Sequence, residues 1–340
     1  MRRIGIGMIG AGAELDRYLE TGLLSLRDEV DFVACFSRRP ERAKEGAAKI
    51  GARPYTHLGD LLSDPGVEAV IVATPHSSHA EITLSALAAG RHVLVEKHIS
   101  TTLADARNMI RAAEKARRVL AVYENYHFFE PFLRARRLIE EGAIGPLVAI
   151  RAHRVAFLSG PWLREGWRQQ GDFSGILIDQ ACHYIDGLRL LAGEEIVQVA
   201  ASATTTREDF RGDDTVIMNL RFTSGLLGQA FFTWGSRTPN RGAEAEVFGK
   251  LGSLTVYRRP VGLELHKFDL PDEKQTIIEQ ADYAESFVPT IADFCAAVRG
   301  EREPFMSVME GFCDLAVVDA ARRSISSGRV ERVEEFGTLA

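Results

Sequence analysis

Up to Glu124, short apolar runs alternate with stretches whose apolar residues recur at helical spacing. Residues 3–9 read as a buried strand that Gly10-Ala11-Gly12 breaks. A helical stretch follows, then a second strand at 31–37 (DFVACFS), then an Ala- and Lys-rich helix from Pro40 to near Gly51. Residues 67–73 (VEAVIVA) are almost continuously apolar, the pattern of a strand covered on both faces in a parallel sheet. Residues 76–89 read as a helix stopped by Gly90, and 91–96 (RHVLVE) as another strand. Thr102 and Asp105 open the next helix in a capping-box-like arrangement with Asp in place of Glu, and 119–124 closes the series. Strands alternating with helices of this length predict an α/β, doubly wound parallel sheet.

From about Gly145 the period changes to two. Residues 146–157, 196–206, 215–222, 226–234, 243–248 and 253–257 read as strands, several alternating apolar with polar, and Thr223-Ser224-Gly225 fits a hairpin loop. Ile291, Phe294, Cys295 and Val298 follow helical spacing. A chain of 340 residues exceeds what one core usually supports. The expectation is a nucleotide-binding domain at 1–124 and, at 125–340, an α+β domain with a large, mostly antiparallel sheet, one helix of which has room to pack back on the first domain.

Composition narrows the partners. At 46% hydrophobic and 26% charged residues the chain is ordinary for a globular protein, and its net charge of −6 gives no basic surplus for nucleic acid. Arg134, Arg136 and Arg137 are followed at once by Glu140 and Glu141, a solvated helix face. No apolar run reaches the ~18 residues of a membrane helix. Met1-Arg2-Arg3 leads into glycines and then Glu14, Asp16 and Arg17, unlike an export signal. Cys35, Cys182, Cys295 and Cys313 are scattered, as suits reduced thiols. The expected compartment is the cytoplasm.

The turn at Gly10, Ala11, Gly12 and Ala13 lies between the first strand and helix, where small residues and a helix N-terminus suit a dinucleotide pyrophosphate, as in a Rossmann domain. The third small position of G-x-G-x-x-G is Leu15, so the first helix is expected to enter differently or stand further from the sheet. At the end of the second strand, Ser37 and Arg38, with Arg39 and Arg42 nearby, stand where NAD binders place an acid. A guanidinium there pairs with a 2′-phosphate, so NADP(H) is favoured over NAD(H).

Thr74-Pro75-His76-Ser77-Ser78-His79, followed by Gly90-Arg91-His92 and Glu96-Lys97, resembles the glucose-fructose oxidoreductase/inositol dehydrogenase (Gfo/Idh/MocA) family, which carries T-P-x-x-x-H and then G-x-H-V-x-x-E-K-P. Gly175, Asp179, His183 and Asp186 resemble its G-x-x-x-D-x-x-x-H-x-x-D block, and Glu246 to Leu254 its C-terminal strand-glycine-strand. The resemblance extends to Ser324 and Gly328. Three positions depart from it. His98 replaces the proline of E-K-P, and since a cis bond before a non-proline residue costs about 2.5–4 kcal/mol, Lys97–His98 is expected to be trans. Asn125-Tyr126-His127-Phe128 stands for N-x-R-F, and Phe173-Ser174-Gly175 for G-G-G.

The resemblance implies an NAD(P)-dependent dehydrogenase or reductase that moves hydride to or from a sugar, polyol or related secondary alcohol or ketone. It makes His183 the acid/base, with Asp179 beside it, and Lys97 the group that stabilises the reacting oxygen. Four residues apart, Asp179 and His183 are expected on one helix face. Cofactor contacts are expected from Gly10, Ala11, Gly12, Ala13, Ser37, Arg38, Thr74, Pro75, His79, Glu96 and Lys97, and substrate contacts from Tyr126, Trp167, Arg168, Asp179 and His183, Trp162 standing near them. No metal is expected, because spacing offers His76 and His79 no third ligand. Cys182 reads as a core thiol. Relatives imply a homodimer or homotetramer through the second sheet. An NAD-dependent glycosidase on this fold and a non-catalytic NADP sensor are the alternatives.

Overall fold

The computed structural model describes residues 2–159, 174–238, 242–258 and 260–337. The chain divides into two compact units, the first made of residues 1–125 and 284–312, the second of 126–283 and 313–340.

The first unit is built on six parallel strands, β1 (Ile4–Ile9), β2 (Val30–Phe36), β3 (Arg53–Tyr55), β4 (Ala69–Val72), β5 (His92–Glu96) and β6 (Leu120–Tyr123), in the order β3-β2-β1-β4-β5-β6. All four residues of β4 and of β6 are buried, as a strand with helices on both faces requires. The helices are α1 (Ala13–Glu20), α2 (Pro40–Ile50), α3 (Leu58–Ser63), α4 (His79–Ala88) and α5 (Leu103–Ala116). At the start of α5 the Thr102 hydroxyl accepts from the Asp105 N–H at 3.1 Å and donates to the Asp105 carboxylate at 2.8 Å, so Thr102 caps the helix while the shorter Asp bonds the hydroxyl in place of the Thr102 N–H that a Glu would reach. The order reverses between β1 and β4, and such a switch point is where open α/β sheets form their ligand crevice.

Leu15 is not held away from the sheet. It is buried in α1, and the space it needs is made by Gly46 on α2, where a Cβ would lie 2.7 Å from Ala11 Cβ and 3.2 Å from Leu15 Cδ2. Helix α9 (Phe287–Val298) completes this unit: the Tyr123 hydroxyl donates to the Phe287 carbonyl at 3.1 Å, and Asn125 donates to Ser286 Oγ at 2.7 Å.

The second unit holds nine strands in the order β14-β13-β12-β11-β7-β10-β9-β8-β15. They are β7 (Leu147–Val155), β8 (Ile196–Thr204), β9 (Thr215–Phe222), β10 (Leu227–Thr233), β11 (Ala245–Gly249), β12 (Gly252–Arg258), β13 (Val261–Lys267), β14 (Leu270–Ile278) and β15 (Glu331–Arg332). Among the described residues only β7 and β10 pair parallel in this sheet. Gly225, at φ +92°, closes the β9–β10 hairpin. One sheet face packs on α6 (Glu130–Glu140) and α8 (Ala181–Ala192), around Tyr126, Phe129, Phe132, Tyr184, Phe222, Phe232 and Trp234. Helix α7 (Ile176–Asp179) leads into α8, and α10 (Val308–Ser327) follows α9 along the chain.

β3, α3, β13, β14, β15 and α10 went unread in the sequence. β3 and β14 are edge strands, and β3 carries Pro54, whose missing N–H an edge position tolerates. The three-residue β3 and six-residue α3 are too short to show a period. β13 does alternate, and its pattern was readable. Among the described residues no helix is long and apolar enough to cross a membrane.

Candidate active site

The glycine turn sits at the switch point. Gly10 has φ +119°, and a Cβ there would lie 2.2 Å from the Ala73 carbonyl oxygen, so the ends of β1 and β4 meet at a distance only glycine permits. Gly12 caps α1 without a side-chain hydrogen bond, leaving the first-turn N–H groups to a ligand. The acids of that turn are matched, Glu14 by Arg17 and Asp16 by Lys49, so they do not oppose an anion as bare charges. These features fit a dinucleotide pyrophosphate. Past the end of β2, Ser37 Oγ accepts from the Arg39 N–H at 3.2 Å, and Arg38, Arg39 and Arg42 are exposed. Among the described residues those three form no ion pair. The Arg42 guanidinium lies 4.0 Å from where a Gly12 side chain would begin, within reach of the phosphate turn.

Lys97 follows β5 on the same edge of the sheet. Its neighbour Glu96 is buried, and its carboxylate accepts from the Tyr18 hydroxyl, from Arg17 at 3.5 Å and from the Lys97 N–H at 3.2 Å. Burial, with the charge of Glu14, pushes the Glu96 carboxyl up to about 7, against the pull of Arg17, Tyr18 and Lys97. The Lys97–His98 bond is cis, which overturns the expectation of trans. Its own carbonyl and the next one are each met by an imidazole: His76 Nε2 lies 2.9 Å from the Lys97 oxygen and His79 Nδ1 2.7 Å from the His98 oxygen. His79 Nε2 also meets the Thr74 oxygen at 2.8 Å. Fully buried with both ring nitrogens on main-chain oxygens, His79 braces the Thr74-Pro75 turn against the Lys97 segment from behind. Burial holds its pKa below the ordinary value although both carbonyls raise it.

In the second unit Gly175 opens α7 at φ +94°, and a Cβ there would meet the Asp213 carbonyl oxygen at 2.8 Å. Asp179 and His183 do not share one continuous helix. α7 ends at Asp179, Gln180 departs to φ −113°, and His183 lies in the first turn of α8. One turn of helix stops and a second begins at Gln180, so the spacing of four residues does not place the two side chains on a single helix face. Cys182 is buried, its Sγ 3.7 Å from the Ile178 oxygen, a core thiol. The His183 ring stacks on Tyr126 at 4.8 Å between centroids and 20° between planes. Tyr126 is fully buried, and its hydroxyl accepts from Arg258 Nη1 at 2.7 Å, so it supports His183 from inside the unit. His127 Nδ1 meets Asp186 Oδ1 at 2.8 Å, both buried, so the histidine in the N-x-R-F segment pairs with the last acid of the second block. Trp162, Trp167, Arg168 and Phe173 lie outside the described residues.

Residues 4–124 match the family described as "Oxidoreductase family, NAD-binding Rossmann fold", and residues 136–334 its "C-terminal alpha/beta domain". The chain belongs to the Gfo/Idh/MocA oxidoreductase family. It is 30% identical over 338 residues to a 1,5-anhydro-D-fructose reductase of Ensifer adhaerens, covering 96% of this chain and 98% of that one. It is 28% identical over 347 residues to a myo-inositol 2-dehydrogenase of Thermotoga maritima, covering 97% and 98%. A levoglucosan dehydrogenase solved with NADH and levoglucosan superposes with a TM-score of 0.85 at 25% identity, over 98% of this chain and 100% of that chain. The parallel sheet and the mixed, mostly antiparallel sheet are those of this two-domain oxidoreductase fold, and its first domain is one that binds a nicotinamide cofactor.

Sequence reasoning missed Tyr18, Arg258 and Glu244. A tyrosine in the first helix and a charged residue at a strand end carry no local mark of their buried partners. His98 was singled out only for what it replaced.

Proposed function

We propose that this oxidoreductase prefers NADP(H) and moves hydride between the nicotinamide and a secondary alcohol or ketone of a sugar or polyol, as the names of its relatives suggest for them. The observation that carries this reading is the edge of the parallel sheet: a glycine turn that only glycine can make, the Thr74-Pro75 turn beside it, and Lys97 two strands from β1 on the same edge. A bound nicotinamide supplies the hydride acceptor or donor. Gly10, Ala11, Gly12 and Ala13 hold the pyrophosphate, and Thr74, Pro75 and Glu96 border the rest of the dinucleotide. Ser37 and Arg38, aided by Arg42, take a 2′-phosphate, since a guanidinium forms paired charged hydrogen bonds with it.

His183 takes the hydroxyl proton during oxidation and returns it during reduction, a task suited to an imidazole. The Lys97 ammonium favours the negative charge that builds on the same oxygen. Asp179 orients or binds the substrate, and Trp167 and Arg168 are assigned to the sugar by family resemblance alone. We place the protein in the cytoplasm, which its buried, unbridged Cys35, Cys182 and Cys295 support. We also assign it a dimer or tetramer formed through the second sheet.

A screen of polyols, aldoses and uronates with NAD⁺ and NADP⁺, followed at the reduced nicotinamide absorbance, tests the reading. Turnover with NADP⁺ above NAD⁺ is expected, with Arg38→Ala narrowing the ratio about tenfold, a loss of about 1.4 kcal/mol. His183→Ala abolishes turnover while cofactor still binds. A clear preference for NAD⁺ removes the Ser37/Arg38 assignment, and undiminished turnover in His183→Ala removes the histidine. Release of free sugar with no net cofactor turnover would identify a glycosidase instead.

A further inference from the structure

A helix fixes where the His183 side chain begins, but an imidazole still turns about its own bonds, and proton exchange requires one ring plane. One face of that ring is occupied. Tyr126 lies against it almost parallel, with centroids 4.8 Å apart and planes 20° apart. Tyr126 is itself gripped by rings, with Phe129 at 5.6 Å, Phe132 at 5.8 Å, Tyr184 at 5.3 Å and Tyr283 at 5.6 Å.

Packing alone would be served as well by phenylalanine. The hydroxyl of Tyr126 accepts from Arg258 Nη1 at 2.7 Å, and burial keeps the phenol protonated by raising its pKa well above the ordinary value. Arg258 lies over the Tyr283 ring at 4.3 Å and stands 3.9 Å from Glu244 Oε1, which accepts from Arg154 Nη1 at 2.9 Å. Glu244 is buried. Buried ion pairs add little net stability over well-packed apolar residues, so a chain Arg154–Glu244–Arg258–Tyr126 ending on one imidazole is better accounted for by orientation than by stability.

We propose that Tyr126 is a positioning residue that sets the plane of the His183 imidazole, and that Arg258, anchored by Glu244 and Arg154, sets Tyr126. This rests on the reading of His183 as the acid/base. All the residues concerned belong to the second unit. The role differs from the substrate contact expected of Tyr126, because a fully buried side chain with its hydroxyl engaged has no surface to offer a sugar.

The test compares Tyr126→Leu, Tyr126→Phe and Arg258→Met in the full-length enzyme. Misplacement of a reacting group by about 1 Å costs about 10²-fold in rate. Tyr126→Leu is expected to lower kcat by about that factor, with KM for the alcohol and Kd for the cofactor within about twofold. Tyr126→Phe keeps the stacked ring but loses the bond from Arg258, so its kcat is expected between those of Tyr126→Leu and the unaltered enzyme, close to that of Arg258→Met. Arg258→Met gives a smaller loss of the same kind and decides the matter if Tyr126→Leu does not fold. The His183 ring proton signals, assigned by their disappearance in His183→Ala, move downfield in Tyr126→Leu as the shielding ring is removed. Unmoved ring signals, or a kcat unchanged in both Tyr126→Leu and Arg258→Met, overturn the proposal while leaving His183 in its role. Undiminished turnover in His183→Ala overturns that role first, and the two failures are thereby told apart.

Discussion

Glu96 shows how much a single residue depends on what surrounds it. Next to Lys97 in the sequence it reads as an ordinary strand end, yet burial and Glu14 raise its carboxyl from 4.5 to about 7. A folded-state value above the unfolded one means that the native state binds the extra proton between those limits. Stability is therefore greatest below about 4.5 for this group and falls as pH rises towards 7. At about 1.4 kcal/mol per unit the loss is on the order of 3 kcal/mol. Glu96→Gln, neutral throughout, is expected to flatten the pH dependence of unfolding between 5 and 7, measured by urea titration at each pH. A slope identical to that of the unaltered protein would show Glu96 to be ionised in the native state throughout. Lys97, Asp179 and His183 stood out only together, through the family's blocks, since each alone reads as an ordinary strand end or helix pair. Tyr18 beneath Glu96 and Arg258 behind Tyr126 were not, because a partner 78 or 132 residues away leaves no local pattern.

Helix packing shows the same limit. Leu15 in the third small position of the glycine motif suggested a displaced first helix, whereas the neighbouring α2 provides the room through Gly46. Gly46→Val is expected to drive α2 from α1, since its Cβ alone would stand 2.7 Å from Ala11 Cβ. Overpacking of this kind costs about 1–3 kcal/mol. Because Ala11 belongs to the phosphate turn, cofactor affinity falls as well, which thermal unfolding with and without NADP⁺ measures. An unchanged Tm together with unchanged affinity would show that the two helices are not held so closely. Helix α5 was readable to its cap because Thr102 and Asp105 interact within one turn. The break at Gln180 was not, since residues 176–192 carry apolar positions on both sides of it.

At the scale of the whole molecule, among the described residues the second sheet has one face over β9 and β10 with exposed side chains. Ile217, 45% exposed, pairs across the sheet with Phe231, and Leu227, 54% exposed, lies on the same face. Apolar side chains in such positions suit a sheet covered by another copy. Light scattering is expected to give a dimer or tetramer, and Ile217→Glu with Leu227→Glu a smaller species. A monomeric unaltered protein would refute the assembly.

The sequence by itself determined the two fold classes, most strands and helices, the glycine turn and the order of the family's blocks, because period, caps and tight turns are written in neighbouring residues. Only the tertiary structure decided the cis Lys97–His98 bond, the small residue shared between α1 and α2, the paired His127 and Asp186, and the buried chain ending on His183. These depend on which distant segments meet, and in a close-packed interior that is settled by the shape and charge of all the neighbours together.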